Sequence, residues 1–365
     1  LQQADRSNTL QHQSLTLEYT TQPAWYAIQA LPYLMEYPHE CSEQIFSRYY
    51  ANSIGSHIAN SDPRVKQVFE QWQEAAKIQD ASTNTNKEGA LFSNLEKNQE
   101  LKYLLLQETP WVIDAQNEKE RKRRIAVLFD LSRMIAEQEK AEQELVARQN
   151  EDGSFAWFKG MYPDTYITQH IATGFGHLDK LGVKSLRDNP ATWQMVQKAV
   201  QYVDYQSDKN YQYLKERNLI KKDQVNNPYL QIQYLYMRSF FTDIPVEERY
   251  KESFAYWKQQ AEKHWLQQSR YMQAMTAIAL HRLDKANSKT AANIMESLRQ
   301  NATQNEELGM YFKRNSYSWY WYDAPIEEQA LMIEAFNEVT KDEKSVEALK
   351  VWLLKQKQTQ DWKTT

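Results

Sequence analysis

The chain has 365 residues, among them 8 glycines, 10 prolines and a single cysteine. Turn-rich β-sandwiches and glycine-looped nucleotide-binding folds need more glycine than this, whereas the abundant Gln, Glu, Lys, Leu and Ala favour helices. The net charge of −4 gives no support to a nucleic-acid partner, and no apolar run approaches the ~20 residues of a membrane span. One cysteine excludes an internal disulfide and a cysteine-rich metal site.

The N-terminal part of the chain has little helical character. Residues 1–20 are predicted to be a polar tail and linker, in which Ser14–Thr20 alternates apolar and polar residues as a short strand does. An apolar stretch interrupted by prolines follows from Trp25 to Tyr37. Helical periodicity begins at Glu40, and the polar stretch 80–100 is predicted to be a loop or an insertion.

Helical patterns continue from there to the end of the chain. We expect these helices to come in antiparallel pairs because their connections are short, and the fold is therefore predicted to be an all-α stack of helix pairs. The predicted helices are Asp62–Trp72, Asn117–Arg148, Thr165–Leu181, Thr192–Tyr205, Pro228–Phe241, Glu247–Gln267, Ser269–Leu283, Thr290–Leu298, Pro325–Val339 and Ser345–Lys355.

A weak internal repeat supports this organisation. Three times a helix ends in polar residues, a turn follows with an aromatic residue, and an apolar helix comes next. Gly153 and Gly309 mark the first two turns, and 355–362 begins the third. The third copy stops at Thr365, where a helix is due, so we expect a single domain over 21–365 that has been cut before its last helix.

Several kinds of catalytic site remain open at this stage. The seven histidines lack metal-ligand spacing, and His170 and His177 have no third ligand near them in the sequence, so no metal or other cofactor is predicted. An α/α barrel could use two carboxylates to cleave glycosides, with Ser318–Asp323 as an aromatic sugar platform or simply as packing. A carbohydrate-active enzyme and an inert helical interaction domain are therefore the two alternatives to the reading that follows.

The most informative segment surrounds Cys41. This cysteine stands just before a helix, three residues ahead of Gln44. A tight turn can bring its sulfur onto the glutamine carbonyl, and loss of ammonia would leave an internal thioester, which the helix N-terminus favours. A lone cysteine is more often just a small buried apolar residue. A thioester must also be kept dry, and the candidate shields are Tyr33, Met35, Tyr37, Phe46, Tyr49, Tyr317, Trp319 and Trp321.

The Cys-x-Glu-Gln pattern resembles the thioester motif of the α2-macroglobulin/complement superfamily. Its flank Ala30–Gln44, the Asp-Gly-Ser-Phe turn at 152–155 and the terminal segment 352–365 are similar to the bacterial branch of that family. The resemblance covers about residues 15–365 and implies an α/α toroid, a six-hairpin, terpenoid cyclase-like helical barrel.

The resemblance also implies a function. The parent protein would be a protease trap, periplasmic or otherwise in the cell envelope, and anchored to the membrane as a lipoprotein, although this segment would make no direct membrane contact. Its Cys41–Gln44 thioester would acylate a lysine of the trapped protease once, without turnover, and Glu43 would orient the turn. The other partners would be neighbouring domains of the parent chain. Complement members that prefer hydroxyls have a histidine soon after the Asp-Gly-x-Phe turn; residues 156–163 contain none, which implies a preference for amines.

Overall fold

The computed structural model describes residues 40–61, 67, 131–221, 223–313 and 325–359. Within these ranges the chain is mostly helical, with only two short strands, which confirms the all-α prediction. The helices are α1 (Ser42–Ser61), α2 (Leu131–Arg148), α3 (Thr165–Lys180), α4 (Pro190–Glu216), α5 (Tyr229–Arg238), α6 (Lys251–His264), α7 (Arg270–Leu283), α8 (Lys289–Asn301), α9 (Pro325–Ala335) and α10 (Glu343–Thr359).

Side-chain caps begin several of these helices. The carboxylate of Asp164 accepts the N–H of Ile167 at the start of α3, and Asn189 caps α4 directly before a proline at the first helical position. Ser269 and Ser288 cap α7 and α8 in the same way. Each cap satisfies an N–H that has no partner within its own helix, so these sequence signals locate the helix starts well.

The structure differs from the sequence prediction at several helix ends. Helix α4 continues to Glu216 instead of ending at Tyr205, and its last turns are held to α6 where the indole of Trp257 donates to the Ser207 carbonyl. The predicted helix Glu247–Gln267 is α-helical only as α6, with short 3₁₀ turns at both ends. The predicted helix Pro325–Val339 is α-helical to Ala335 and closes with a π-helical turn.

The second repeat turn is a small β-hairpin, not an irregular turn. Strand β1 (Thr303–Asn305) pairs antiparallel with β2 (Gly309–Tyr311), and Thr303 lies opposite Tyr311. The side chain of Asn305 accepts the N–H groups of Glu307 and Leu308 and so closes the loop between the strands. The hairpin was missed because each strand has only three residues, too few to show an alternating pattern.

The described helices form two layers. Each odd-numbered helix packs against the next odd-numbered helix, from α1 through α3, α5 and α7 to α9. Each even-numbered helix packs against an odd-numbered helix next to it in the chain. The core lies between the layers and contains Phe175, Val196, Trp257, Ile278 and Met332, all almost fully buried. None of the described helices combines the length and hydropathy needed to cross a bilayer.

The two repeat turns that the structure describes join the even-numbered helices in the same way. Gly153 follows α2 with φ +88°, and a Cβ at this position would lie 2.3 Å from the Lys198 carbonyl oxygen of α4. Gly309 has φ +77°, and its Cβ would lie 2.2 Å from the Ala348 carbonyl oxygen of α10. At both turns, therefore, a glycine backbone lies directly on the backbone of the next even-numbered helix.

Several sequence predictions fall outside the described residues. They are the strand Ser14–Thr20, nearly all of the helix Asp62–Trp72, the loop 80–100, the first part of Asn117–Arg148 and the end of the third repeat turn.

Candidate functional site

Cys41 and Gln44 contact each other reciprocally at the start of α1. The Cys41 N–H donates to Oε1 of Gln44 at 3.3 Å, and the Gln44 N–H donates to Sγ of Cys41 at 3.4 Å. The Ile45 N–H donates to the Cys41 carbonyl at 3.0 Å, which begins the helix. This is the pattern of a capping box, with a thiol where serine or threonine usually stands. It brings the sulfur and the glutamine side chain together within one turn.

A distant loop holds the same helix start. The Ser42 N–H, which has no partner inside the helix, donates to the Trp157 carbonyl at 2.9 Å. That loop is fixed where Phe155 and Asp164 form an antiparallel bridge, and the indole of Trp157 donates to the Asp164 carboxylate at 3.2 Å. Asp164 also caps α3. The Cys41–Gln44 turn is thus anchored to the start of the neighbouring odd-numbered helix.

The Cys41 sulfur lies in a buried environment with one acidic neighbour. Cys41 is only 4% exposed, and burial raises the pKa of its thiol. The hydrogen bond from the Gln44 N–H opposes this increase in pKa, whereas the negative charge of Glu43 adds to it. Oε2 of Glu43 lies 3.9 Å from Sγ, and its other oxygen accepts the Ser47 hydroxyl at 2.8 Å. Ser47 therefore fixes the carboxylate with one oxygen toward the sulfur.

Aromatic rings pack behind the Cys41–Gln44 turn. The ring of Phe46 contacts that of Phe175 with centroids 5.2 Å apart and meets the imidazole of His170 edge-on at 5.9 Å. A Cβ on Gly174 would lie 2.2 Å from the Phe46 ring, so glycine is what lets α1 and α3 approach this closely. Phe46, one of the predicted shields, is 3% exposed. It helps to exclude water from the side of the turn that faces α3.

His170 is the site residue to which sequence reasoning gave no role. Its ring stacks on Tyr166 with centroids 6.1 Å apart. Burial lowers the pKa of His170, and the nearby Glu43 carboxylate partly opposes this decrease. No spacing in the sequence relates residue 170 to residue 43; only the packing of α3 on α1 brings them close.

The loop that anchors Ser42 also carries an exposed apolar rim. The rim consists of Trp157, Phe158, Met161 and Tyr162, and Tyr162 is 93% exposed. Trp157 is partly covered, because it stacks on Tyr166 with centroids 6.3 Å apart. Exposed apolar side chains therefore lie on the loop whose Trp157 carbonyl accepts the Ser42 N–H.

The remaining predicted shields are either in the core or outside the described residues. Tyr49 is fully buried between Phe46 and Phe175, and it lies eight residues, about 12 Å along the helix axis, beyond Cys41. It packs in the core behind Phe46, and its role as a shield stays a prediction. The shields outside the described residues are Tyr33, Met35, Tyr37, Tyr317, Trp319 and Trp321.

One pair of neighbouring carboxylates is engaged by an arginine. Glu334 and Glu338, neighbours in the odd-numbered layer, both bond to the guanidinium of Arg282, at 2.7 and 2.6 Å. Within the described ranges, no three His, Cys, Asp or Glu side chains are grouped closely enough to hold a metal ion. The predicted sugar platform, Ser318–Asp323, lies outside these ranges.

Comparison with known proteins adds no identification. The sequence matches no model of a protein family, and no curated protein is significantly similar to it.

Proposed function

We propose that this chain is the thioester domain of a bacterial α2-macroglobulin-like protease trap, and that its two helical layers belong to an α/α toroid. The observation that carries the proposal is the reciprocal contact between Cys41 and Gln44 at a buried helix start. The trap would belong to the periplasm or cell envelope, and its partners would be target proteases and the other domains of the parent chain.

The geometry suits formation of the thioester. Sγ of Cys41 attacks the side-chain carbonyl carbon of Gln44, the C–N bond breaks, and ammonia leaves with the thiol proton. The Cys41 N–H already donates to Oε1 of Gln44. The same donor, together with the positive end of the α1 dipole, stabilises the negative charge that develops on this oxygen in the tetrahedral intermediate.

The same elements explain how the bond survives and how it reacts. The sulfur is buried and the rings of Phe46 and Phe175 exclude water behind it, so hydrolysis is slow. When a lysine amine reaches Gln44, it attacks the acyl carbon, an amide forms, and Cys41 leaves as a thiol. The protein reacts once and acts as an inhibitor, without turnover.

Methylamine tests the proposal. Fresh protein should have a mass lower by one ammonia than the sequence requires and no titratable thiol. Treatment with methylamine should release one thiol and add one methylamine at Gln44. A Gln44→Glu variant is the matched control, because it has no amide to lose and should show its thiol from the start. An unmodified Gln44 with a freely titratable Cys41 in fresh native protein would refute the proposal.

The parent protein offers a second test, of the trap itself. A Cys41→Ala variant should still enclose a protease that cuts the bait region, but it should form no covalent adduct. Adducts in unchanged yield would mean that Cys41 is not the reactive group.

A further inference from the structure

Glu43 is the charged side chain that contacts the Cys41 sulfur, and its position suits proton transfer. Oε2 lies 3.9 Å from Sγ, within the range of a hydrogen bond that involves sulfur. Oε1 is occupied by the Ser47 hydroxyl at 2.8 Å. Since the serine holds one oxygen, the other remains directed at the sulfur. A carboxylate needed only to orient the turn would not need an oxygen directed at the leaving atom.

The chemistry of amine transfer has a proton to move at this position. The attacking amine must lose one proton when the amide bond forms, and the departing sulfur must gain one. Burial raises the pKa of the Cys41 thiol, so a bare thiolate is a poor leaving group here and gains from being protonated as it departs. The amine that gives up the proton binds at Gln44, and the sulfur that takes it up belongs to Cys41, so both residues lie within one helical turn of Glu43.

From this geometry we infer that Glu43 is the proton carrier of the acyl transfer, an inference that rests on the function proposed above. The amine nitrogen bonds to the Gln44 acyl carbon, the C–S bond breaks, and the N–H proton passes to a Glu43 oxygen and then to Sγ of Cys41. The products are the amide and the thiol, and Glu43 returns to its starting state. No other reactant is required.

The neighbouring ionisable groups define the setting of this carboxylate. Tyr166 and His170 face it from α3, and both sense its charge. Burial raises the pKa of Tyr166 to about 12 and lowers that of His170, so burial keeps both side chains neutral near pH 7. Arg148, at the end of α2, acts on the Cys41 thiol and lowers its pKa.

The test compares methylamine reaction rates of the whole chain. Glu43→Gln should slow the native reaction about a hundredfold, the low end of what a positioned acid or base contributes. Ser47→Ala should slow the reaction about fivefold, the effect of one lost hydrogen bond. Glu40→Gln, an exposed carboxylate one residue before Cys41, is the matched control and should react at the wild-type rate.

Mass and thiol counts separate this inference from the proposed function. Every variant is checked for the loss of one ammonia and for release of one thiol when denatured in methylamine. Absence of the bond in the wild type would refute the proposed function. A Glu43→Gln variant with an intact bond and the wild-type rate would refute only the proton carrier. If Glu43→Gln does not close the bond, Glu43→Asp and Ser47→Ala decide: slower reaction supports the inference, and unchanged rates in both overturn it.

Discussion

Replacing Gly153 with alanine tests whether the glycine turns really join the even-numbered helices by backbone contact. The chain has a matched control in Gly160, because the two glycines have nearly the same φ, +88° and +84°, but very different surroundings. A Cβ at 153 would lie 2.3 Å from a carbonyl oxygen of α4, whereas nothing lies within 4 Å of a Cβ at 160. The pair therefore separates backbone strain from steric overlap.

The expected free energies follow from these two terms. An alanine with positive φ costs about 1–2 kcal/mol, and the reduced entropy of the unfolded chain returns about 0.4–1 kcal/mol. Gly160→Ala should thus lower the free energy of unfolding by about 0–1.6 kcal/mol. At Gly153 the overlap with a helix backbone adds about 1–3 kcal/mol, so Gly153→Ala should lower it by about 1–4.6 kcal/mol.

Urea unfolding followed by circular dichroism measures both variants against the wild type. The midpoint should fall for both and further for Gly153→Ala, with an unchanged slope if the unfolded state is unaffected. Equal destabilisation by the two substitutions would show that α4 does not press on the turn, and the description of the turn as a backbone joint would then be wrong.

Three further predictions concern the buried groups around α1 and α2. Glu142 is 6% exposed and accepts hydrogen bonds from Lys184, Asn189 and Thr192. Glu142→Ala should therefore lower the free energy of unfolding by about 2 kcal/mol or more. The control Glu139→Ala, at an exposed position of the same helix, should lower it by less than about 0.5 kcal/mol, and similar losses for the two variants would contradict the prediction. Phe46→Ala should lower the free energy of unfolding by about 3–5 kcal/mol, measured by thermal or urea unfolding, because the ring is buried and other rings enclose the cavity it would leave. A decrease below about 1 kcal/mol would mean that the neighbouring side chains move in and fill this cavity. Once its thiol is free, Cys41 should be alkylated slowly at neutral pH, and the alkylation rate should still rise above pH 9.0, because a raised pKa leaves little thiolate below pH 9.0. An alkylation rate that levels off below pH 9.0, or a pH profile that unfolding does not change, would contradict the raised pKa of this thiol.

The local part of the site was predictable from the sequence. Cys41 and Gln44 stand three residues apart before a helical pattern, and one helical turn is enough to bring such side chains together. Signals of the same local kind mark the starts of α3 and α4, because Asp164 and Asn189 accept N–H groups only a few residues ahead of them, although the predicted helix began at Thr192 and not at Pro190. Signals of this kind need no knowledge of the tertiary structure.

The long-range part was not predictable from one sequence. Nothing in the chain indicates that the carbonyl of Trp157 would accept the N–H of Ser42, or that His170 would lie near Glu43. These contacts depend on how α3 packs against α1, which Gly174 permits by having no side chain. Similarly, α4 extends past Tyr205 because of its contact with α6, which local periodicity does not report.

The glycine turns also bear on how such a protein can change over evolutionary time or by design. At Gly153 and Gly309 two backbones are in direct contact, and no side chain lies between them that a substitution could make smaller or larger. The spacing between each turn and the helix it contacts, α4 or α10, therefore cannot be adjusted in small steps. A helix pair inserted at either of these two joints, or removed from it, must therefore keep the glycine turn, because any other residue there would overlap a helix backbone.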